Sequence, residues 1–311
     1  MPAHISKKVL VVGSVAFDKI FPLRGTIRDK ISFTDMELGA QNMMFFSGDR
    51  QEHFGGTGGN IAYGLGLLKI KPILFSVAGK DFKNEYAKHL ADHGVDTRIF
   101  IDNAGFTATA YMMTDEAQEQ IGVWEPNSYG KFIDKKTLAS LLSSRELAAI
   151  EIAIFSAGTE KSILSHMREF RKHNTTATII FDPGQITSIH YDKKLLSESC
   201  ALATILIVND TELQNIKTAL SSSTNELLSK GLTIIETKGV AGSIIYIKDG
   251  VQKIAPVLVK KVVDPTGAGD AYRTGLIAGL IAQKSLADAC HLGAQTAAKC
   301  IRHKGGQEYK F

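Results

Sequence analysis

The sequence predicts an α/β fold, built on an open and mostly parallel sheet with helices on both of its faces. Six short runs of residues are nearly continuous in Val, Ile, Leu and Phe, which is typical of strands buried on both faces of a parallel sheet. Helical patterns lie between these runs, and this alternation implies right-handed βαβ crossovers. The six runs, followed by a seventh apolar run, are 8–13, 72–79, 152–158, 177–184, 204–210, 232–239 and 242–248.

Two of the helical patterns have apolar residues spaced four apart. The first covers 60–68 and the second covers about 81–93. The second also carries His89 and His93, whose spacing on a helix would suit a metal ion, but the glutamate of an HExxH motif is missing. We therefore expect the two imidazoles on a solvated helix face.

Two regions interrupt the α/β rhythm and predict a small β lid or dimerisation flap. Residues 19–50 are irregular and rich in Met and Phe, and residues 105–126 alternate with period two, as a half-exposed hairpin does. The predicted α/β core is then 1–18, 51–104 and 127–311. Two long surface loops are the alternative, against which the aromatic and Met content argues.

Composition narrows the class of partner. Hydrophobic residues make up 44% of the 311 residues and charged residues 22%, as in an ordinary globular protein. The net charge of +4 is spread without a basic block, which argues against nucleic acid. No apolar run is long enough for a signal peptide or a membrane span. The three cysteines, Cys200, Cys290 and Cys300, include no CxxC pair, so we expect a cytoplasmic protein with reduced thiols.

The segment "VDPTGAGDAYRTG" (263–275) is the strongest indication of chemistry. The apolar run after Asp270 predicts a helix, and the free N–H groups of its first turn and of the glycine loop would form an anion site. An acid there is either a helix cap or a general base. The glycines favour the base, because a carboxylate hinders simple anion binding but can take a proton from a hydroxyl while the N–H groups stabilise a transferring phosphoryl group.

The same segment resembles the C-terminal signature of the ribokinase-like (phosphofructokinase-B) family of carbohydrate and nucleoside kinases. "FGGTGGNIAYGLGLL" (54–68) resembles the N-terminal signature of that family, and "NDTE" (209–212) matches its Asn-x-x-Glu motif. The order and separation of these motifs agree over essentially the whole chain. "GSVAFDKI" (13–20), "DPGQ" (182–185) and the "GGQEY" tail are most similar to the bacterial adenosine kinase branch.

This resemblance implies a ribokinase-like three-layer α/β/α sandwich with a mostly parallel central sheet and a β lid. It also implies an ATP- and Mg²⁺-dependent kinase that phosphorylates the ribose 5′-hydroxyl of a nucleoside, with adenosine expected, and it allows a homodimer formed through the lid. A kinase of another nucleoside or of a free sugar is one alternative. A non-catalytic nucleotide-binding protein on the same fold is another, and a fold match alone does not decide between them.

By the resemblance, Asp270 is the base, and the anion hole consists of Gly267, Ala268 and Gly269. Asp18 binds two neighbouring ribose hydroxyls, since a carboxylate accepts two hydrogen bonds side by side. Further sugar contacts are expected from Ser14, Gly56 and Asn60. Alternatively, the glycines of the 54–68 segment form only a turn before a helix, and Asn60 is the N-cap of that helix.

The resemblance also assigns the phosphate end of the site. Asn209 and Glu212 would organise Mg²⁺ through water, because Mg²⁺ borrows few protein oxygens; alternatively they are a strand-end Asn and a first-turn Glu of the next helix. Thr237 and Gly239 would line the ATP cleft, or form only a hairpin turn. Arg273 would face the transferring phosphate, or be a solvated helix residue.

The nucleobase pocket departs from the pattern of the adenosine kinase branch. Gln185 would contact adenine, and that branch places the purine between two aromatic rings of the lid. Trp124 would supply one ring, but the other position holds Ala110, with Tyr111 beside it. Either Tyr111 replaces the second ring after a shift, or the base pocket is looser. This leaves the nucleobase open and the phosphoryl transfer intact.

Overall fold

The computed structural model describes residues 8–30, 44–117, 119–184 and 192–311. The strands are β1 (Lys8–Val12), β2 (Ala16–Pro22), β3 (Gln51–Gly55), β4 (Ile73–Gly79), β5 (Asp96–Asp102), β6 (Ala108–Thr114), β7 (Gln120–Glu125), β8 (Ile150–Ser156), β9 (Thr178–Asp182), β10 (Ile205–Asn209), β11 (Thr233–Thr237), β12 (Ser243–Ile247) and β13 (Gly250–Ile254). The helices are α1 (Ile27–Lys30), α2 (Thr57–Leu67), α3 (Glu85–Asp92), α4 (Asn127–Phe132), α5 (Ser144–Ala148), α6 (Glu160–His173), α7 (Lys193–Leu202), α8 (Asp210–Leu220), α9 (Thr224–Ser229), α10 (Ala268–Ile281) and α11 (Leu286–Cys300).

Nine strands form the main sheet, in the order β13-β12-β11-β10-β9-β8-β1-β4-β5. The six predicted apolar runs are all strands of this sheet and pair in parallel, which confirms the predicted sheet. The seventh run is β12, which pairs antiparallel with β11 and with β13. The edge strands β5 and β13 were not predicted, because their half-exposed and polar residues carry little of the buried-strand signal.

The core lies on both faces of the main sheet, as the continuous apolar runs predict. Because successive side chains of a strand point to opposite faces, Val9 and Val11 join one buried cluster while Leu10 and Val12 join the other. Helices α2, α3, α10 and α11 cover the first face, and α4 to α9 cover the second. No helix in the described ranges is long and apolar enough to cross a membrane.

A second sheet has four strands in the order β3-β2-β6-β7. The predicted hairpin in 105–126 is confirmed, because β6 and β7 pair antiparallel. The sheet extends beyond the residues predicted for the lid: β2 begins at Ala16, and β3 lies within 51–104, which the predicted division gives to the core. We call this second sheet the lid sheet; its role as a lid or dimerisation flap stays a prediction.

The carboxyl ends of the central parallel strands place polar residues along one edge of the main sheet. The register pairs Asn209 with Thr237 and Ser156 with Asp182. Gly13 and Ser14 follow β1 at the same edge. Ligands of open parallel sheets bind at this edge, and a binding site here stays a prediction.

Candidate active site

The glycine loop has the backbone geometry of an anion site. Gly267 is left-handed, with φ of 76°, and a Cβ added to it would lie 2.7 Å from the Cα of Gly306, so both its conformation and its surroundings require glycine. The predicted helix is confirmed as α10, which begins at Ala268. No side chain of the described residues caps α10. The Ala268 amide donates to the Pro265 carbonyl at 3.2 Å, so the uncapped first-turn N–H groups are those of Gly269 and Asp270.

Asp270 lies in the first turn of α10, and its carboxylate does not cap the helix. Its Oδ2 accepts a hydrogen bond of 2.8 Å from Nδ2 of Asn60. Burial raises the pKa of Asp270 to about 6, against the lowering effects of the Asn60 hydrogen bond and the Arg273 charge. A carboxyl group that titrates near neutral pH and stands beside free helix N–H groups has the properties of a general base.

Asp18 faces the same space from β2 of the lid sheet. Burial raises the pKa of Asp18 to about 7, and the nearby carboxylates of Asp270 and Asp264 raise it further. Asp18 forms no hydrogen bond or ion pair with the residues that the structure describes. A Cβ on Gly55 of β3 would lie 2.3 Å from its Oδ2, so glycine is needed there to admit the carboxylate. An acid on the lid sheet and an acid on α10 therefore lie close enough for their charges to interact.

The N-terminal glycine segment forms the start of α2. Gly56 is the N-cap, with φ of 82°, and a Cβ there would lie 2.7 Å from the carbonyl oxygen of Ser14. The alternative that Asn60 caps the helix is wrong: the Asn60 amide donates to the Gly56 carbonyl inside α2, and its side chain turns to Asp270. The Ser14 carbonyl accepts the Gly59 amide at 3.0 Å, and the Ser14 hydroxyl lies 3.4 Å from that of Thr57.

Arg273 is buried, which excludes the alternative of a solvated helix residue. Its Nε and one terminal nitrogen donate to the two carboxylate oxygens of Asp182, each at 2.5 Å. The other terminal nitrogen donates to the Gly269 carbonyl at 3.1 Å. These contacts tie the glycine loop to the end of β9, and a direct contact of Arg273 with substrate stays a prediction.

Asn209 and Glu212 form a reciprocal capping box at the start of α8. The Asn209 side chain accepts the Glu212 amide at 2.8 Å, and the Glu212 carboxylate accepts the Asn209 amide at 2.9 Å through Oε2. The alternative of a strand-end Asn with a first-turn Glu thus describes their local structure correctly. Because burial raises the pKa of Glu212, a nearby cation would stabilise its ionised form.

These carboxylates fit a hydrated Mg²⁺ ion better than a metal cage made of protein ligands. Only Oε2 of Glu212 is used by the capping box, whereas both oxygens of Asp182 accept from Arg273. In the described ranges, no three His, Cys, Asp or Glu side chains are grouped so as to hold a metal. Mg²⁺ bound to nucleotide phosphates keeps several waters and needs few protein oxygens, so a single second-layer carboxylate is compatible with it.

Thr237 and Gly239 lie where β11 turns into β12. Thr237 is the register partner of Asn209, and its hydroxyl donates to the Val208 carbonyl at 3.3 Å. Gly239 has φ of 54° and open space around its Cα. The segment is therefore a turn between antiparallel strands, which agrees with the hairpin alternative. Contacts of either residue with ATP stay a prediction.

The register of the lid sheet decides which side chains accompany Asp18. Asp18 is opposite Ala110 on β6, and Ala110 is opposite Trp124 on β7, so these three side chains share one face. Tyr111 is on the opposite face, where its hydroxyl donates to Glu125 at 3.1 Å. The alternative in which Tyr111 replaces the second ring is therefore wrong, because one step along a strand reverses the face. The looser pocket is the alternative that fits.

Of the three side chains on the Asp18 face of the lid sheet, Trp124 is the aromatic one, and it is 49% exposed. Met112, two residues after Ala110, shares its face. Gln185, the predicted adenine contact, lies outside the described residues.

Residues 25–310 match the pfkB family of carbohydrate kinases. The chain belongs to this family. The nucleoside kinase of Methanothermobacter thermautotrophicus is 30% identical to it over 305 residues, which cover 97% of this chain and 91% of that protein. The solved structure of Methanocaldococcus jannaschii nucleoside kinase has a TM-score of 0.85 at 26% identity and covers 98% of this chain and 94% of its own.

Burkholderia thailandensis nucleoside kinase, solved in complex with inosine, has a TM-score of 0.81 at 29% identity, with 97% of this chain and 93% of that chain covered. The predicted family and the ribokinase-like fold are thereby confirmed. The pfkB membership also makes the kinase class of activity the expected one, and these relatives are nucleoside kinases.

The pfkB-family chain has a cationic cleft that the sequence analysis missed. It has a volume of about 630 Å³ and opens between the segment 257–261 and the end of α11. The end of α11 lies against the glycine loop, because the Val263 amide donates to the Ile301 carbonyl at 2.8 Å. Four cations line the cleft: Lys260, Lys261, Lys299 and Arg302. A pair of lysines just before the glycine motif was the only trace of it in the sequence, and only the tertiary contact joins that pair to α11.

Proposed function

We propose that this protein transfers the γ-phosphoryl group of ATP to the 5′-hydroxyl of a nucleoside. The observation that carries the proposal is the meeting of Asp270 and Asp18 in front of the uncapped start of α10. One acid comes from the start of α10 and the other from the lid sheet, so a polyhydroxylated acceptor bound between them would meet both carboxylates. The nucleoside kinase relatives support the same class of acceptor.

In the proposed reaction, Asp270 takes the proton of the acceptor hydroxyl. The resulting oxygen forms a bond to the γ-phosphorus while the bond from phosphorus to the β-γ bridging oxygen breaks, so that ADP and a nucleoside 5′-monophosphate leave. The N–H groups of Gly267 and Gly269 stabilise the negative charge on the transferring group. The predicted third donor, Ala268, would have to give up its hydrogen bond to the Pro265 carbonyl to join them. Most of the catalysis is positioning and charge stabilisation, as is general for phosphoryl transfer.

The sugar is held by Asp18, whose two oxygens accept from the neighbouring ribose hydroxyls. Its raised pKa fits this role, because two donated hydrogen bonds stabilise the ionised form that the apo site disfavours. Ser14, Gly56 and Asn60 line the same end of the cavity. Gly56 and Ser14 do so through backbone approach, since Gly56 leaves no room for a side chain.

ATP lies with its phosphates at the glycine loop, next to the cationic cleft. The cations of the cleft attract a polyphosphate, and Asn209, Thr237 and Gly239 lie along the same strand ends. Glu212 would hold a Mg²⁺ ion through water, and that ion would supply charge neutralisation of the donor phosphates. The complex of the Burkholderia relative with ADP-inosine supports a nucleotide donor.

Adenosine is the first acceptor to test, and the lid sheet favours an acceptance wider than adenosine. Trp124 offers a stacking surface on one side of the base, whereas Ala110 offers none on the other. One ring binds any base through its π-face with little discrimination. We therefore expect phosphorylation of inosine and guanosine as well as of adenosine.

The test is incubation of the purified protein with Mg-ATP and each of adenosine, inosine, guanosine, cytidine, ribose and fructose, with products followed by mass. Asp270→Asn is the matched control for contaminating kinases. Nucleoside monophosphates made by the wild type only would support the proposal. A sugar phosphate instead would keep the catalytic loop and discard the base pocket. The absence of any product would favour a nucleotide-binding protein.

A further inference from the structure

Gln307, in the chain segment after α11, connects the candidate base to the interior of the fold. Its Nε2 lies 2.9 Å from Oδ1 of Asn60 and 2.7 Å from the hydroxyl of Tyr86. Gln307 is only 3% exposed, and Tyr86 is completely buried. The Tyr86 hydroxyl in turn lies 2.6 Å from the carbonyl oxygen of Gly55. A continuous chain of hydrogen bonds therefore runs from Asp270 through Asn60, Gln307 and Tyr86 to Gly55.

The direction of every bond in this chain is fixed by its two ends. The Gly55 carbonyl can only accept, so the single proton of Tyr86 points to it, and the phenol oxygen must accept from Gln307. Gln307 therefore presents its NH₂ group, which also donates to Oδ1 of Asn60. Asn60 is left with its own NH₂ group toward Asp270, where an ionised carboxylate can only accept. The amide orientations follow from this network.

The reversed network is consistent only with a protonated Asp270. If Gln307 turned its carbonyl to Asn60 and Tyr86, Asn60 would have to present its own carbonyl oxygen to Asp270. Two oxygens would then meet, unless Asp270 carried a proton to donate. The Gly55 carbonyl would also lose its donor, because Tyr86 would turn to Gln307. In the observed orientation the buried acceptor without a hydrogen-bond partner is Oε1 of Gln307 instead, so the contact between Asn60 and the ionised Asp270 decides between the two networks.

The segment that carries Gln307 is held firmly at both ends. The Gly305 amide donates to Asp264 at 2.8 Å, and the Tyr63 hydroxyl donates to the Tyr309 carbonyl at 3.0 Å. Between them, Gly306 lies flat against the Asn60 amide, since a Cβ there would be 2.8 Å from its Cγ. The segment therefore packs against the Asn60 amide as well as forming a hydrogen bond to it.

We propose that Gln307 is a positioning residue for the phosphoryl transfer: it holds the Asn60 amide with its donor toward Asp270 and so keeps the base ionised and oriented. This inference rests on the proposed function of Asp270. Gln307 has no assigned contact with the acceptor, the donor or the reacting atoms, and it acts through Asn60 alone. Its loss should therefore alter the protonation of Asp270 more than the binding of substrate.

The direction of the effect follows from the bond that Asn60 donates. A hydrogen bond to a carboxylate stabilises its ionised form, so losing it raises the pKa of Asp270 and moves the acid limb of kcat/KM to higher pH. The other titratable or charged groups that face Asp270 are Asp18, Tyr86, Asp182, Arg273, Cys300 and Tyr309. Of these, only Tyr86 is bonded to Gln307, and it keeps its own hydrogen bond to the Gly55 carbonyl when Met replaces Gln307.

The experiment compares Gln307→Met with the wild type in two readouts on the full chain. The first is the pH dependence of kcat/KM, and the second is the ¹³C chemical-shift titration of the Asp270 carboxyl group, assigned by its loss in Asp270→Asn. Met keeps the length of the side chain and removes the donor. Gln252→Met makes the same change on the exposed edge strand β13 and is the matched control.

We expect Gln307→Met to raise both the acid limb and the carboxyl titration by about 0.5 pH units or more, while KM changes by less than about threefold. The same substitution in an Asn60→Ala background should move the carboxyl titration no further. An equal loss of kcat at every pH with an unmoved titration would overturn the proposal, as would a shift that persists without Asn60.

Gln307→Glu is a second variant in case Gln307→Met is unstable. Ionised Glu can only accept, so it reverses the network and should raise the titration more than Met does. If Asp270→Asn keeps its kcat, the proposed function of Asp270 fails. The carboxyl titration would then still decide whether Gln307 controls that group through Asn60.

Discussion

Two groups of side chains at the candidate site differ in how many hydrogen bonds they form before any ligand binds. The first group, which we call the edge, lies at the glycine loop and at the carboxyl ends of the main-sheet strands. The second, which we call the row, is Asp18, Ala110 and Trp124 on one face of the lid sheet. At the edge, Asp270 accepts from Asn60, Arg273 holds Asp182, and Glu212 closes a capping box. In the row, Asp18 has no partner among the described residues, and Trp124 is half-exposed. The preorganised edge is therefore suited to the chemistry common to all acceptors, and the unsatisfied row to the recognition of one acceptor.

The largest expected effect is at the edge. Asp270→Asn should lower kcat by at least about 100-fold with little change in either KM, because it removes the proton acceptor and keeps the side-chain volume. Steady-state kinetics with saturating Mg-ATP measures this. Asp210→Asn, an exposed first-turn acid of α8, is the control. A variant that retains near-normal kcat would contradict the role of Asp270 and, with it, the division between edge and row.

The next effect is in the row. Asp18→Ala should weaken nucleoside binding by about 30-fold or more, because two hydrogen bonds to a charged acceptor are lost, each of about 1.5–3 kcal/mol. ATP binding should stay within about threefold. Isothermal titration with each ligand separates the two. Equal losses for both ligands would show that Asp18 supports the structure of the cavity and does not recognise the sugar.

The edge and the row differ in how well the sequence predicts them. The edge was largely predictable, because the glycine motif, the helix after Asp270 and the strand ends are local signals, and each is found where predicted. The partners that hold those residues were not predictable. Gln307 lies 247 residues from Asn60 in the chain, and Asp182 lies 91 from Arg273, so only the tertiary fold brings them together.

The row was less predictable, since the face on which a strand residue lies depends on register. The sequence left Ala110 and Tyr111 as adjacent candidates, and the pairing with β2 and β7 puts only Ala110 beside Asp18. The prediction of a solvated face for His89 and His93 was wrong for a similar reason. Their rings pack on Tyr63, with centroids 5.1 and 4.7 Å away, and the helical spacing alone could not reveal that neighbour.

A smaller effect concerns the base rather than the sugar. Trp124→Ala should raise KM for adenosine by about 10-fold, since stacking of a base on an aromatic ring contributes about 1–3 kcal/mol and this ring is half-exposed. KM for ribose, if ribose is a substrate, should not change. Ala110→Tyr is the converse variant, which adds a second ring and should lower KM for adenosine. If Trp124→Ala changes KM for ribose and KM for adenosine equally, the side chains of the row do not contact the base.

The smallest expected effect is on stability. Replacing Asp18 should stabilise the ligand-free protein although it weakens nucleoside binding. In the folded protein the pKa of Asp18 is raised to about 7 from 3.8, so the folded state binds more protons than the unfolded state between these values. The free energy of unfolding therefore falls as pH rises through 7, and this loss is absent when Asn replaces Asp18. Asp18→Asn should raise the ligand-free Tm at pH 8 by about 2–4 °C, which corresponds to about 1 kcal/mol, and by progressively less toward pH 4.

Scanning calorimetry from pH 5 to pH 8.5 measures this difference, with the exposed Asp249→Asn as the control. A Tm that falls at pH 8, or a difference that is the same at every pH, would mean that the Asp18 carboxylate is not destabilised in the ligand-free cavity. A rise confined to high pH would show that the row is kept unsatisfied at a cost in stability. Because the nucleoside supplies the missing donors, saturating adenosine should then stabilise the wild type more than Asp18→Asn.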